Sequence, residues 1–317
     1  MKVVDLFSGC GGMSLGFQNS GFNVVAAFDN WDKAIDIYQK NFNHPIFKCD
    51  LGQLEDFSQI SSYNAELIIG GPPCQDFSSA GKRDESLGRS DLTVKYAKIV
   101  KEVLPKYFVM ENVDRIEKSN AYNLAVELFK EAGYGLTAKI LDASLCGVPQ
   151  KRKRFFLIGE LGGTDNALLP YLTSRLSKKP MTVRDYLGNS LGVDHYYRHP
   201  RNYNRRGIFS IDEPAPTVRG VNRPLPQGYP GHKADSSPVS ENIRPLTTIE
   251  RSYIQTFPTD FIFDLPKTHL EQLIGNAVPV KLAEYVANSL IAYIKDSEEV
   301  NKEYTQLKLF NINDVKA

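Results

Sequence analysis

The stretch Gly70-Gly71-Pro72-Pro73-Cys74-Gln75-Asp76-Phe77-Ser78 sets a thiol directly after a run of glycine and proline. Leu67-Ile68-Ile69 leads into it and reads as the end of a buried strand. Glycine permits positive φ, while proline fixes φ and removes an N–H donor, so the strand cannot continue and the thiol stands at its end. That placement suits a nucleophile. The other reading is a structural cysteine in a tight turn, since free cysteine packs well in cores. A carboxylate, Glu111, ends the β-prone run Tyr107-Phe108-Val109-Met110, and in a parallel sheet it falls in the same crevice as Cys74. Strand-end acids otherwise cap or form salt bridges. Lys151-Arg152-Lys153-Arg154 precedes the apolar run Phe155-Phe156-Leu157-Ile158. Strand alternation puts Arg152 and Arg154 on one face; a phosphate site and a solvated edge strand both explain such a run.

These groups need elements to hold them. Val3-Val4-Asp5-Leu6-Phe7 is β-prone and is followed by Ser8-Gly9-Cys10-Gly11-Gly12 and a helical segment. A strand, a glycine loop and a helix let the backbone approach a ligand and offer it unpaired N–H groups. The spacing matches neither G-x-G-x-x-G nor the phosphate-binding P-loop. A second strand, residues 22–28, runs into Asp29-Asn30-Trp31-Asp32. A carboxylate there can accept from two vicinal ribose hydroxyls, and Trp31, the only tryptophan, can pack on an adenine ring. Equally, Asp32 can cap the helix over residues 33–41 and Trp31 can belong to the core. A third strand, residues 46–49, ends at Asp50. Strand ends at Asp5, Asp29, Asp50 and Gly70 alternate with helices, which predicts a parallel α/β sheet with its ligand crevice at the strand carboxyl ends.

The chain has 317 residues, 42% hydrophobic and 24% charged, enough for one large domain and a smaller one. A net charge of +1 means that any nucleic-acid surface is a local patch. Cys10, Cys49, Cys74 and Cys146 show no C-x-x-C spacing and no neighbouring histidine cluster, which argues against a zinc site or a disulfide framework and suits a reducing cytosol. The first residues do not read as a signal peptide, and no run of 18 apolar residues suggests a membrane span.

The second half changes character. Residues 168–179 have helical potential, and Val-Arg-Asp-Tyr-Leu at 183–187 leads towards a smaller unit. Arg198, Arg201, Arg205, Arg206, Arg219 and Arg223 then stand among tyrosines and asparagines, against Asp194, Asp212 and Glu213. Arginine reads guanine edges and phosphate, and asparagine reads adenine; a proline-rich surface module with solvated arginines is the alternative. Residues 248–256 read as a helix capped by Thr247 or Thr248 with Arg251 facing out. Residues 280–294 form the last helix, by their 3.6-residue apolar period, followed by a charged peripheral tail.

Together these segments resemble the cytosine-C5 DNA methyltransferases. The resemblance rests on Asp5-Leu6-Phe7-Ser8-Gly9-Cys10-Gly11-Gly12, Gly71-Pro72-Pro73-Cys74-Gln75, Glu111-Asn112-Val113, Gln150-Lys151-Arg152-Lys153-Arg154, Arg244-Pro245-Leu246-Thr247-Thr248 through Phe257-Pro258, and Gly275-Asn276-Ala277-Val278-Pro279, in the family's order. Thr256 stands where the family often has glycine, and a negative φ is expected there.

The resemblance implies a Rossmann-like α/β fold with a mostly parallel sheet, plus a smaller, irregular, β-rich recognition domain. The expected division is 1–180 with 270–317 for catalysis, 181–245 for target recognition and 246–269 as a bridge. It implies Cys74, Glu111, Arg152 and Arg154 as catalytic groups. For S-adenosylmethionine it implies Phe7, Gly9, Gly11, Gly12, Asp29, Trp31, Asp50, Leu51, Pro73, Leu92, Asn276 and Val278. Gln75, Ser78, Ser79, Ala80 and Lys82, on a lid with Gly81 and Gly88 as hinge points, and the arginines named above would contact double-stranded DNA around a flipped base. No metal is required. A cytoplasmic bacterial monomer paired with a restriction endonuclease is expected. A tRNA methyltransferase of the same chemistry and a non-catalytic DNA-binding relative are the alternatives.

Overall fold

A computed structural model describes residues 1–73, 91–200, 202 and 204–313, with the backbone alone for residues 91 and 300–313. The expectations placed on Cys74, Gln75, Ser78, Ser79, Ala80, Lys82 and Arg201 lie outside the described residues.

The first half alternates as its apolar runs require: β1 (Lys2–Leu6), α1 (Gly12–Asn19), β2 (Asn23–Asp29), α2 (Asp32–Asn41), β3 (Ile46–Lys48), α3 (Ser58–Ser61), β4 (Leu67–Gly70), α4 (Asp91–Val103) and β5 (Tyr107–Val113). Then follow α5 (Asn120–Glu131), β6 (Tyr134–Asp142), the short β7 (Gln150–Lys151) and β8 (Lys153–Leu161). Seven strands form one sheet in the order β3-β2-β1-β4-β5-β8-β6. β1 pairs in parallel with both β2 and β4, so the order reverses beside β1 and opens a crevice beyond its carboxyl end. β8 is the one reversed strand, antiparallel to β5 and β6. The basic run at 151–154 therefore enters an interior strand, not a solvated edge.

Strand alternation sorts the sheet's side chains into two cores. Val3, Ile69, Val109 and Ile158 meet α1 and the last helix on one face. Val4, Ile68, Phe108 and Leu157 meet α4 and α5 on the other. Each buried Leu, Val or Ile contributes roughly 1.5–3 kcal/mol, so these faces fix the strand ends that carry the polar groups.

Beyond β8 come α6 (Leu169–Ser174) and α7 (Val183–Leu187), the latter closed by a Thr182–Asp185 capping box. The next segment is largely irregular. β9 (His195–Tyr197) pairs with β10 (Ile208–Ser210), and β11 (Ala215–Pro216) adds in parallel to β7. α8 (Thr248–Ile254) begins at a Thr247–Glu250 capping box. α9 (Lys267–Asn276) precedes α10 (Val280–Asn313), which is longer than the 280–294 helix that periodicity suggests. α10 returns to α1 so closely that a Cβ on Gly16 would lie 2.4 Å from that of Ala283.

Two expectations about the bridge fail. Arg251 is buried and pairs with Glu271 on α9 instead of facing solvent. Thr256 has φ of +62°, not a negative value. Its Oγ1 accepts the Lys281 N–H at 2.9 Å in the first turn of α10, so the hydroxyl offsets the strain of the left-handed backbone.

Candidate functional site

The carboxyl ends of β1, β2, β4 and β5 and the turn between α9 and α10 surround a cavity of about 410 Å³. That size falls within the range for small-molecule sites. Phe7, Gly9, Gly12, Asp29, Trp31, Pro73, Asn276 and Val278 line it, together with Glu111 and Arg154. Gly11, Asp50, Leu51 and Leu92 are not among its lining residues. Gly11 has φ of +89°, and a Cβ there would lie 2.3 Å from the Phe42 ring, so it shapes the loop from behind. Leu51 is buried in the sheet core, and Asp50 closes a turn by accepting the Gly52 N–H at 3.0 Å.

The glycine loop is held in place by Asp29. Its two carboxylate oxygens accept the N–H groups of Gly9 at 2.8 Å and Trp31 at 2.9 Å. Each oxygen keeps a lone pair for a further donor. Asp32 does not cap α2; it is that helix's first residue and pairs with Lys48 at 2.7 Å. Trp31 is half-buried at the cavity wall, its ring edge-on to His269. Phe7 has φ of +58°, a strained conformation for an aromatic residue, which aims the chain from β1 into the loop. Gly12 allows close approach from the far side, since a Cβ there would lie 2.2 Å from the Val278 carbonyl.

Sequence reasoning missed Asp5 and Ser8, which also line the cavity. Both are buried, and Asp5 Oδ1 and Ser8 Oγ have no hydrogen-bond partner among the described residues. The other Asp5 oxygen accepts from Ser14 Oγ at 2.6 Å. Burial pushes the Asp5 carboxyl up to about 7, with nearby Asp29 adding to the rise and Ser14 opposing it. Unsatisfied polar atoms in a cavity wall suit a polar ligand.

In the cavity wall Glu111 and Arg154 form an ion pair, Nε to Oε1 at 2.8 Å. The β5–β8 register sets Val113 opposite Arg154 and Glu111 opposite Phe156, so the pair is a diagonal contact on one face. Burial raises the Glu111 carboxyl above its ordinary value, against the pull of Arg154 and Arg152. Gly71 leaves the carboxylate uncovered: a Cβ there would lie 3.1 Å from Glu111 Oε2. Asn112 Nδ2 donates to the Pro72 carbonyl at 3.0 Å and so fixes the chain just before Cys74. Its position beside Glu111 in the sequence was the available signal.

Arg152 does not join this pair, contrary to expectation. Its guanidinium is buried and donates to the carbonyls of Val218 at 3.0 Å, Gly275 at 3.0 Å and Ala277 at 3.1 Å. The last two carbonyls lie at the carboxyl end of α9, where a cation is favoured.

The remaining arginines divide. Arg198 donates to the Thr217 carbonyl at 3.0 Å and Arg219 to the His199 carbonyl at 2.5 Å. Arg205 and Arg223 are exposed. Arg206 is half-buried and engaged within the chain. It pairs with Glu213 and lies 4.1 Å over the Phe209 ring.

Residues 1–292 match the family model described as C-5 cytosine-specific DNA methylase. The chain belongs to this family. The protein is 62% identical over 298 residues to the Type II methyltransferase M.HindV of Haemophilus influenzae, covering 93% of this chain and 98% of that one. It is 57% identical over 295 residues to the Type II methyltransferase M.HgiDI of Herpetosiphon aurantiacus, covering 93% and 95%. Among solved structures, a putative DNA modification methyltransferase from an E. coli prophage superposes with a TM-score of 0.67 at 24% identity, over 93% of this chain and 99% of that one, a likeness of fold. This C5-methylase chain therefore has the mostly parallel sheet its strand pattern predicts, and the activity of its family is methyl transfer to cytosine in DNA. No helix among the described residues is long and apolar enough to cross a membrane.

Proposed function

We propose that this C5-methylase binds S-adenosylmethionine in the cavity at the carboxyl ends of β1 and β2 and methylates a cytosine flipped out of a short duplex DNA sequence, with Cys74 as nucleophile. The observation that carries the reading is the Glu111–Arg154 pair at 2.8 Å, in the wall of a cavity that a glycine loop also lines.

The cavity fits the cofactor in size and in donor set. Asp29 suits the ribose hydroxyls, Trp31 and Phe7 the adenine faces, and Asp5, Ser8 and Asn276 the polar end. When bound, S-adenosylmethionine supplies the methyl group, and loss of its sulfonium charge drives the transfer.

The other steps belong to the chain. Cytosine C5 is a poor nucleophile until the Cys74 thiolate adds to C6 and makes an enamine of the ring. Electron density then collects on N3 and O2. Protonated Glu111 donates to N3, and Arg154 holds Glu111 and neutralises O2. Once C5 carries the methyl group, a water or hydroxide held in the site removes its proton, and the returning electron pair expels Cys74. C6 is unreachable in stacked DNA, so the base must leave the helix. Residues 181–245 supply target recognition, with Arg198, Arg205, Arg206, Arg219 and Arg223 among the described cations. The Type II relatives support a modification enzyme partnered with a restriction endonuclease in a bacterial cytoplasm.

Bisulfite sequencing of DNA from cells expressing the protein maps the methylated base and its sequence. A duplex with 5-fluorocytosine at that base should trap the protein covalently. A Cys74→Ala protein that still traps would rule the nucleophile out.

A further inference from the structure

The buried Arg152 guanidinium is shared between two parts of the molecule. One amino group holds the Val218 carbonyl, in the segment following β11, and the other holds the Gly275 and Ala277 carbonyls at the end of α9. Gly275 and Ala277 also wall the cofactor cavity. The contact around this arginine is close: a Cβ on Gly275 would lie 2.3 Å from the Gly220 nitrogen. Gln150 reinforces it, with Oε1 accepting the Val218 N–H at 2.9 Å and Nε2 donating to Gln255 Oε1 at 2.7 Å. Gln255 in turn donates to the Ile274 carbonyl at 2.6 Å.

A buried guanidinium stays charged and depends on these carbonyl dipoles for its solvation. Withdrawing the Val218 carbonyl would leave the charge under-solvated, and so would withdrawing the end of α9. The two sides of the joint therefore move together or not at all. A ligand that orders one side reduces the cost of ordering the other, which gives positive coupling.

We propose that Arg152 is a positioning residue that ties the cofactor wall to the recognition segment, so that cofactor occupancy and DNA recognition each raise the affinity for the other. This inference rests on the assignment above of the cavity to the cofactor and of residues 181–245 to DNA.

The test uses the full-length protein, S-adenosylhomocysteine as the unreactive occupant of the cofactor cavity, and a fluorescent duplex carrying the bisulfite-mapped site. In the wild type, S-adenosylhomocysteine should lower the Kd for DNA about tenfold, and DNA should lower the Kd for S-adenosylhomocysteine by the same factor. In Arg152→Lys the factor should fall to about twofold or less while each ligand alone still binds, a pattern that simple destabilisation does not produce. Thermal unfolding checks that the variant is folded. Gly275→Ala, which wedges the same joint, should also lose the coupling. A wild-type factor near one overturns the proposal, as does wild-type coupling retained in Arg152→Lys. A wild type that binds neither ligand overturns the underlying assignment instead, which is a different result from binding both without coupling.

Discussion

Arg154 Nε lies 2.8 Å from Glu111 Oε1 across the antiparallel β5–β8 pair, with both side chains mostly withdrawn from solvent. Burial raises the carboxyl and the guanidinium opposes that rise, so Arg154 sets the pH range over which Glu111 can donate a proton. Activity that needs protonated Glu111 is full below its folded pKa and is lost as pH rises through it. Arg154→Gln removes the opposing charge. It should lower kcat by about a hundredfold and move the alkaline limb of the kcat profile upward. Steady-state transfer of tritiated methyl groups across pH measures both. An unmoved or lowered limb would show that Glu111 does not act as the donor.

Asp5 gives a stability prediction of defined sign. Its folded value of about 7 stands above the ordinary value of 3.8, so folding favours the protonated form. The stabilisation is complete at low pH and is lost as pH rises through the folded value. Without cofactor, the wild type should lose on the order of 4 kcal/mol from this group between pH 4 and pH 8, and Asp5→Asn should lack that part of the slope. Urea denaturation across this range compares them; parallel curves would count against the assignment.

Thr256 combines strain with a cap, and two substitutions separate them. Thr256→Ala keeps the left-handed backbone and removes the acceptor for the Lys281 N–H. It should destabilise by about 1–2 kcal/mol. Thr256→Gly also loses the acceptor but relieves roughly 1 kcal/mol of strain, so it should be closer to the wild type. Chemical denaturation orders the three proteins, and an alanine variant as stable as the glycine variant would refute the strain.

Arg251 and Glu271 pair in the interior between α8 and α9, where Glu271 Oε1 also accepts from Thr248 Oγ1 at 2.7 Å. Glu271→Leu leaves a buried guanidinium without its counter-charge and should cost about 3–5 kcal/mol. The double variant Arg251→Met/Glu271→Leu should recover much of that loss. A double variant no better than the single would mean that packing, not charge, dominates here.

The sheet was legible because apolar runs ending at Asp5, Asp29, Gly70 and Glu111 recur at a period that only alternating strands and helices explain. The glycine loop and the residues around Glu111 announced themselves through residue type. Four features had no local signal. Arg152 and Arg154 are chemically alike and two positions apart, and only the tertiary placement of α9 sends one to a helix end and the other to Glu111. Arg206 reads as one more cation in a basic stretch, yet Glu213 and Phe209 hold it. The reversal of β8 depends on which neighbours it joins, which its own apolar run does not encode. Arg251 was misread for the same reason: its partner Glu271 is on a different helix.

The close contact of Gly12 with Val278, and of Gly16 with Ala283, bears on how the protein is made. A ribosome releases the glycine loop long before the segment around Val278 that walls it. Emerging domains generally fold from their N-terminal side, but here β1 and α1 must wait for α10 to complete one of their two cores. A stalled or truncated nascent chain thus lacks a finished cavity, and modification of the host's DNA begins only with chains synthesised through α10.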